Sequence, residues 1–316
     1  MSAATVNNIP VPGKSGSADI PWNKKKPQQK TVTDWIIDIV IGVLIAAIVV
    51  VVLYPLWFVV IASVSDPDAV SNGTMKLLPV DFSTSGYQLI FKDNRLWTGY
   101  RNTIIYSVLG TLLNMVVTLP MAFALSRREW KPRRVIMFLL TFTMFFAGGL
   151  IPNYVLYKDL GILNSMWVFI LPSAVNVYNL IIARSFFESS IPESLFEAAK
   201  IDGMSYFGYF VKIALPLSSA ILAVIGLYYF VYHWNDYMTG LVYIQSDQFQ
   251  PLQVVLQKIL LAGNTVAAEN QSAEIANYAG QIKYGVIIVA SLPLLIVYPF
   301  LQKYFNKGVM IGAVKG

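Results

Sequence analysis

The sequence predicts an all-α polytopic membrane protein with six transmembrane helices and both termini cytoplasmic. Three observations carry this. Of 316 residues, 56% are hydrophobic and only 13% charged, about half the charge of an ordinary soluble domain. Six apolar runs each approach the roughly 20 residues that a hydrocarbon core of about 30 Å requires. The Lys and Arg residues then fall unevenly on the two sides those runs define.

The first run, Trp35 to Val64, has no charge after Asp38. The second, Asn102 to Leu125, holds only Asn114 and a few hydroxyls as polar groups. The third extends from Val135 to Tyr157, the fourth from Leu163 to Ala183, the fifth from Ile213 to Trp234 and the sixth from Tyr284 to Phe305. Pro120, Pro152, Pro172, Pro293 and Pro299 lie in or near these runs. Membrane helices tolerate them because neighbours re-satisfy the freed carbonyls. An even number of spans puts both termini on one side.

That side carries 16 of the 23 basic residues, and the other carries 7. The short loop Ser126-Arg127-Arg128-Glu129-Trp130-Lys131-Pro132-Arg133-Arg134 is the strongest single signal. Positive charge marks the cytoplasmic face. The net charge of +6 is therefore an orientation signal spread over four segments, which argues against a nucleic-acid partner. The basic loop reads as a topology marker in contact with lipid headgroups. Residues 1–34 form a Pro-, Gly-, Ser- and Lys-rich tail read as disordered and cytoplasmic, residues 35–305 the transmembrane domain and 306–316 a cytoplasmic C-tail. Gly13-Lys14-Ser15 imitates the end of a phosphate loop, but the first glycine is missing and no strand precedes it.

With no Cys and one His, thiol chemistry, disulfides and His-cluster metal sites are excluded. The outer segments 65–101 and 237–282 are long, and long loops carry function or are disordered.

The cytoplasmic segment Ile191 to Leu217 holds the functional signal. Pro192 suits a helix start, with Glu193 and Glu197 near its positive end. Leu195, Phe196, Ala198, Ala199 and Ile201 make a short helix. Gly203 supplies a left-handed stop, Asp202 caps or turns, and Ser205 begins a second short helix bearing Phe207, Phe210 and Ile213. Exposed aromatic residues at a membrane surface mark a partner site.

Glu197-Ala198-Ala199, Ile201-Asp202-Gly203, Phe207, Phe210, Ile213 and Leu215-Pro216 resemble the EAA motif of ATP-binding-cassette importer permeases. In that family the loop, here 191–216, is a coupling helix docked on a cytoplasmic ATPase. Trp234-Asn235-Asp236-Tyr237 and the ending Gly312-Ala313-Val314-Lys315-Gly316 are similar to the carbohydrate, maltose-importer-like type. Gly148-Gly149-Leu150-Ile151-Pro152 resembles the oligosaccharide branch of Gram-positive bacteria. The long N-tail and the polar stretch Asn264–Tyr278 depart from the pattern.

The resemblance implies a permease subunit that alternates access and has no catalytic site of its own. It implies a second permease as heterodimer partner, two ATPase subunits that hold ATP and Mg, an extracellular solute-binding lipoprotein, an oligosaccharide substrate and a bacterial plasma membrane. Glu197, Ala198, Ala199, Asp202, Gly203, Phe207 and Phe210 would couple to the ATPase. Lys315 and Gly316 would reach between its subunits. Asn114, Asn176, Tyr178 and Asn179 offer sugar partners, though interhelical hydrogen bonding is the plainer reading of each. His233, Trp234 and Asp236 end the fifth span; Asp236 suits the outer interface, and Trp234 with Tyr237 fits an interfacial aromatic belt. A competing reading is an ion-coupled secondary transporter of a polar solute, which would need midplane ion ligands; a membrane-embedded enzyme would need an acid pair or metal set. The nearly charge-free spans disfavour both.

Overall fold

The computed structural model describes residues 31–75, 77–269, 278, 280–296 and 298–299. The N-tail up to residue 30, the C-tail 306–316 with Lys315 and Gly316, and most of the polar stretch 264–278 lie outside them. Among the described residues every regular element is helical. The chain divides into two units, one ending at Tyr54 and the other beginning at Pro55.

Helix α1 (Val32–Ser63) passes through that boundary. It starts inside the segment expected to be a tail. From Ile39 to Tyr54 its side chains are exposed and apolar on every side, the pattern of a helix whose solvent is hydrocarbon. Two short helices follow, α2 (Pro67–Ser71), capped by Asp66, and α3 (Ser85–Lys92).

Helix α4 (Asn94–Ser126) is the axis of the second unit. Asp93 caps its start by accepting the Arg95 N–H. With α1 it is one of two described helices long and apolar enough to cross a bilayer alone.

The third expected span is broken. Helices α5 (Arg133–Phe145) and α6 (Leu150–Asp159) meet at 113°, where Phe146 is extended and Gly149 has φ +90°. The fourth is broken too. Helix α7 (Trp167–Ile170) is a single turn, and α8 (Val177–Ser189) restarts behind Asn176, whose Oδ1 accepts the Asn179 N–H at 3.1 Å. Pro172 offers no N–H between them. The fifth is bent as well. After α9 (Glu193–Ile201), α10 (Tyr206–Leu217) turns by 85° into α11 (Ser219–Trp234). Pro216 cannot donate to the Lys212 carbonyl, and just before it the backbone widens into a π turn over Phe210–Ala214. Uniform apolarity hides such breaks, because a re-entrant backbone inside a bundle is as apolar as a straight span.

Helices α12 (Met238–Tyr243), α13 (Leu252–Glu269) and α14 (Gly280–Ile296) complete the described part. α4 packs against α8, α11 and α13. One core joins Phe123, Phe187, Phe196, Tyr209 and Phe210 near one end of α4; another joins Ile90, Leu96, Trp234, Leu252 and Val286 near the other.

Candidate functional site: a short-helix surface and a tyrosine-lined cleft

Two places in the second unit carry the residues singled out by sequence. The first is the α9–α10 surface. Helix α9 buries Phe196 and Ala199 and leaves Glu197, Ala198 and Ile201 exposed; Ile201 is 87% exposed. Its end is a Schellman turn. The Met204 N–H donates to the Ala199 carbonyl at 2.9 Å and the Gly203 N–H to the Lys200 carbonyl at 3.1 Å. Gly203 sits at φ +73°, and a Cβ there would meet no atom within 4 Å. Glycine is required for backbone conformation, not for space. Ser205 Oγ then accepts the Gly208 N–H at 3.1 Å and starts α10 as the sequence predicts.

Phe207 is 73% exposed, whereas Phe210 is 5% exposed and lies in the core with Phe123 and Phe187. Phe210, like Ala199, supports the surface from beneath and is not on it. Phe196 packs on Tyr206 and Tyr209 at ring-centroid distances of 5.2 and 5.1 Å. The Tyr206 hydroxyl donates to Glu129 at 2.7 Å, joining α10 to the loop after α4.

The basic loop is more than a topology marker. Arg127 is buried, with its guanidinium 5.0 Å from the Phe123 ring and 5.3 Å from the Phe196 ring. It stands 3.7 Å from the Glu193 carboxylate at the start of α9. Nearby, Glu188 faces Arg184, Arg133 and Arg128 at 2.9, 3.3 and 3.8 Å. Arg184 and Arg133 also donate to the Leu125 and Ser126 carbonyls that end α4. Positive side chains there complement the negative end of the helix.

The second place is a cleft of about 850 Å³ lined by Asn176, Tyr178 and Asn179 from α8, and by Tyr228, Tyr232 and Asp236 from α11 and its end. A smaller cavity of about 250 Å³ shares Tyr232 and Asp236 and adds Tyr157 and Tyr243. Asn114 is in neither. It is fully buried, its Oδ1 accepts from His233 Nε2 at 2.8 Å, and its amide nitrogen donates to the Ser173 carbonyl in the α7–α8 break. Tyr229 ties the same break to the bundle: its hydroxyl pairs with Thr118 at 2.7 Å and accepts the Asn176 N–H at 3.0 Å. Asn114 is thus an interhelical link, each such bond contributing about 0.6 kcal/mol in a membrane.

His233 and Trp234 are buried. Trp234 Nε1 donates to the Ala290 carbonyl at 3.2 Å, pinning α11 to α14. Burial raises the Asp236 carboxyl above its ordinary value, opposed in part by the hydrogen bonds from Thr239. Tyr228 and Tyr232 were missed by sequence reasoning. Their i, i+4 spacing on one face was the available signal.

Residues 96–311 match the family of binding-protein-dependent transport system inner membrane components. The chain is 40% identical over 264 residues to the polygalacturonan/rhamnogalacturonan transport system permease protein YtcP of Bacillus subtilis (strain 168), covering 83% of this chain and 92% of that one. It is 30% identical over 244 residues to the melibiose/raffinose/stachyose import permease protein MelC of the same organism, covering 76% and 84%. A chain from the crystal structure of a bacterial ABC transporter involved in the import of the acidic polysaccharide alginate superposes with a TM-score of 0.79 at 34% identity, covering 88% of this chain and 99% of that one.

Proposed function

The chain belongs to the family of binding-protein-dependent transport system inner membrane components, and from that premise we propose how it works. As a member it is a membrane permease component of an ABC sugar importer, a transport part and not an enzyme. In our reading six spans place both termini in the cytoplasm of a bacterial cell. The chain pairs with a second permease, two ATPase subunits that hold ATP and Mg, and an extracellular solute-binding lipoprotein. Lys315 and Gly316 extend toward the ATPase pair.

The observation that carries the coupling assignment is the α9–α10 surface, where Glu197, Ala198, Ile201 and Phe207 stand exposed around the Gly203 stop. Glu197, Ala198, Asp202, Gly203 and Phe207 form the face that docks on the ATPase, and Ala199 and Phe210 support it. Closing of the ATPase pair on ATP displaces this face, and the bundle swings between inward- and outward-open states. Asn176, Tyr178 and Asn179 with Tyr228 and Tyr232 give the oligosaccharide amide and hydroxyl partners and aromatic faces along its path.

Reconstitution tests this. Proteoliposomes holding the chain with its permease and ATPase partners should accumulate labelled oligosaccharide only with binding protein outside and ATP on the ATPase side. Uptake driven by a sodium or proton gradient without the ATPase would establish the ion-coupled alternative instead.

A further inference from the structure

Three elements meet at one side chain. Arg127 is the residue that ends α4. Its guanidinium lies between the Phe123 ring of α4 and the Phe196 ring of α9, and it faces Glu193 in the first turn of α9. Only 5% of its side chain is exposed, against 55% for Glu193. One guanidinium nitrogen, Nη1, is buried without a hydrogen bond. That nitrogen is the one that faces the Glu193 carboxylate, at 3.7 Å, an ion-pair distance longer than a hydrogen bond. A planar cation stacked between two rings is stiff and directional in a way that Lys is not.

On the proposed reading of α9–α10 as the docking face, we propose that Arg127 is the joint that clamps α9 to α4, so that a displacement of the docked surface is delivered to the central helix. The path beyond the joint is continuous. α4 carries Asn114 and Thr118, which hold His233 and Tyr229 of α11, and the α7–α8 break beside the cleft is held by Asn114 at Ser173 and by Tyr229 at Asn176. Arg127 is a positioning residue; it touches neither nucleotide nor sugar. The Arg184 and Arg133 contacts hold the end of α4 to α8 and α5, so removing Arg127 leaves that end anchored.

The test uses the assembled transporter in proteoliposomes with its binding protein. Arg127→Ala should retain the ATPase subunits on purification and hydrolyse ATP at a basal rate within about twofold of wild type. Uptake should fall at least tenfold, and the ATP consumed per sugar should rise by a similar factor. Arg127→Lys, which keeps the charge but not the stacked plane, should lie between, and it carries the test if the alanine variant does not assemble. Because the chain has no cysteine of its own, Arg127→Cys with Glu193→Cys can be bridged by a short bifunctional thiol reagent, and the bridge should restore uptake. Wild-type uptake and stoichiometry in both Arg127 variants, or no recovery of uptake on bridging, would overturn the joint. Gly203→Val keeps the two ideas apart. If it still binds the ATPase and transports normally, the docking face itself is wrong. If it fails while both Arg127 variants are normal, only the joint is wrong.

Discussion

Replacing Gly203 tests the docking face through backbone physics alone. At φ +73° with nothing within 4 Å of a built Cβ, a side chain meets no obstacle. Its penalty is the left-handed conformation, about 1–2 kcal/mol for an L residue and more for a β-branched one. If α9 escapes the strain by unwinding its last turn, it loses the Met204-to-Ala199 and Gly203-to-Lys200 hydrogen bonds, each worth about 1 kcal/mol. Either way the formed turn is depopulated about 5- to 30-fold, and with it the face carrying Glu197, Asp202 and Phe207. The expected order is therefore glycine, then Asn, which tolerates this conformation, then Ala, then Val. The assay is ATPase-subunit retention and ATP-driven uptake at equal membrane content of the variant. Wild-type uptake with Val, or Asn no better than Val, would refute the reasoning.

Two further outcomes follow from other positions. A Cβ at Gly110 would lie 2.4 Å from His233 Nε2, so Gly110→Ala forces the buried ring away from Asn114; overpacking of this kind costs about 1–3 kcal/mol, read as a lower melting temperature of the purified chain in detergent. Asp236 sits with its carboxyl raised above 3.8 by burial, so the folded state holds the proton more tightly than the unfolded one and stability falls as pH rises through the window above 3.8. Asp236→Asn should remove that slope, checked by melting temperatures measured from acid to neutral pH, and a variant that keeps the slope would assign it to another group.

The candidate site was legible in sequence only where backbone chemistry writes it locally. Gly203 and Ser205 announced a helix stop and a restart, and both stand where spacing puts them. The exposed Phe207 was readable in the same way. Phe210 was not, because it meets Phe123 and Phe187 from other helices, and neither was the buried state of Trp234, since one amphipathic aromatic suits both an interface and a core. Arg127 is the clearest case. In the sequence it is one of five cations in a loop, and nothing local separates it from Arg128, which is exposed.

By itself, the sequence determined that this chain is an apolar, helical membrane protein with a helix–glycine–helix unit on a basic side, because hydropathy, charge asymmetry and turn chemistry are local properties. The tertiary structure alone decided which apolar runs bend, which amide links helices and which cation is buried against two rings. Those outcomes depend on what each side chain meets across the bundle, and residues far apart in sequence, such as Asn114 and His233 or Arg127 and Glu193, carry no mark of one another until the helices pack.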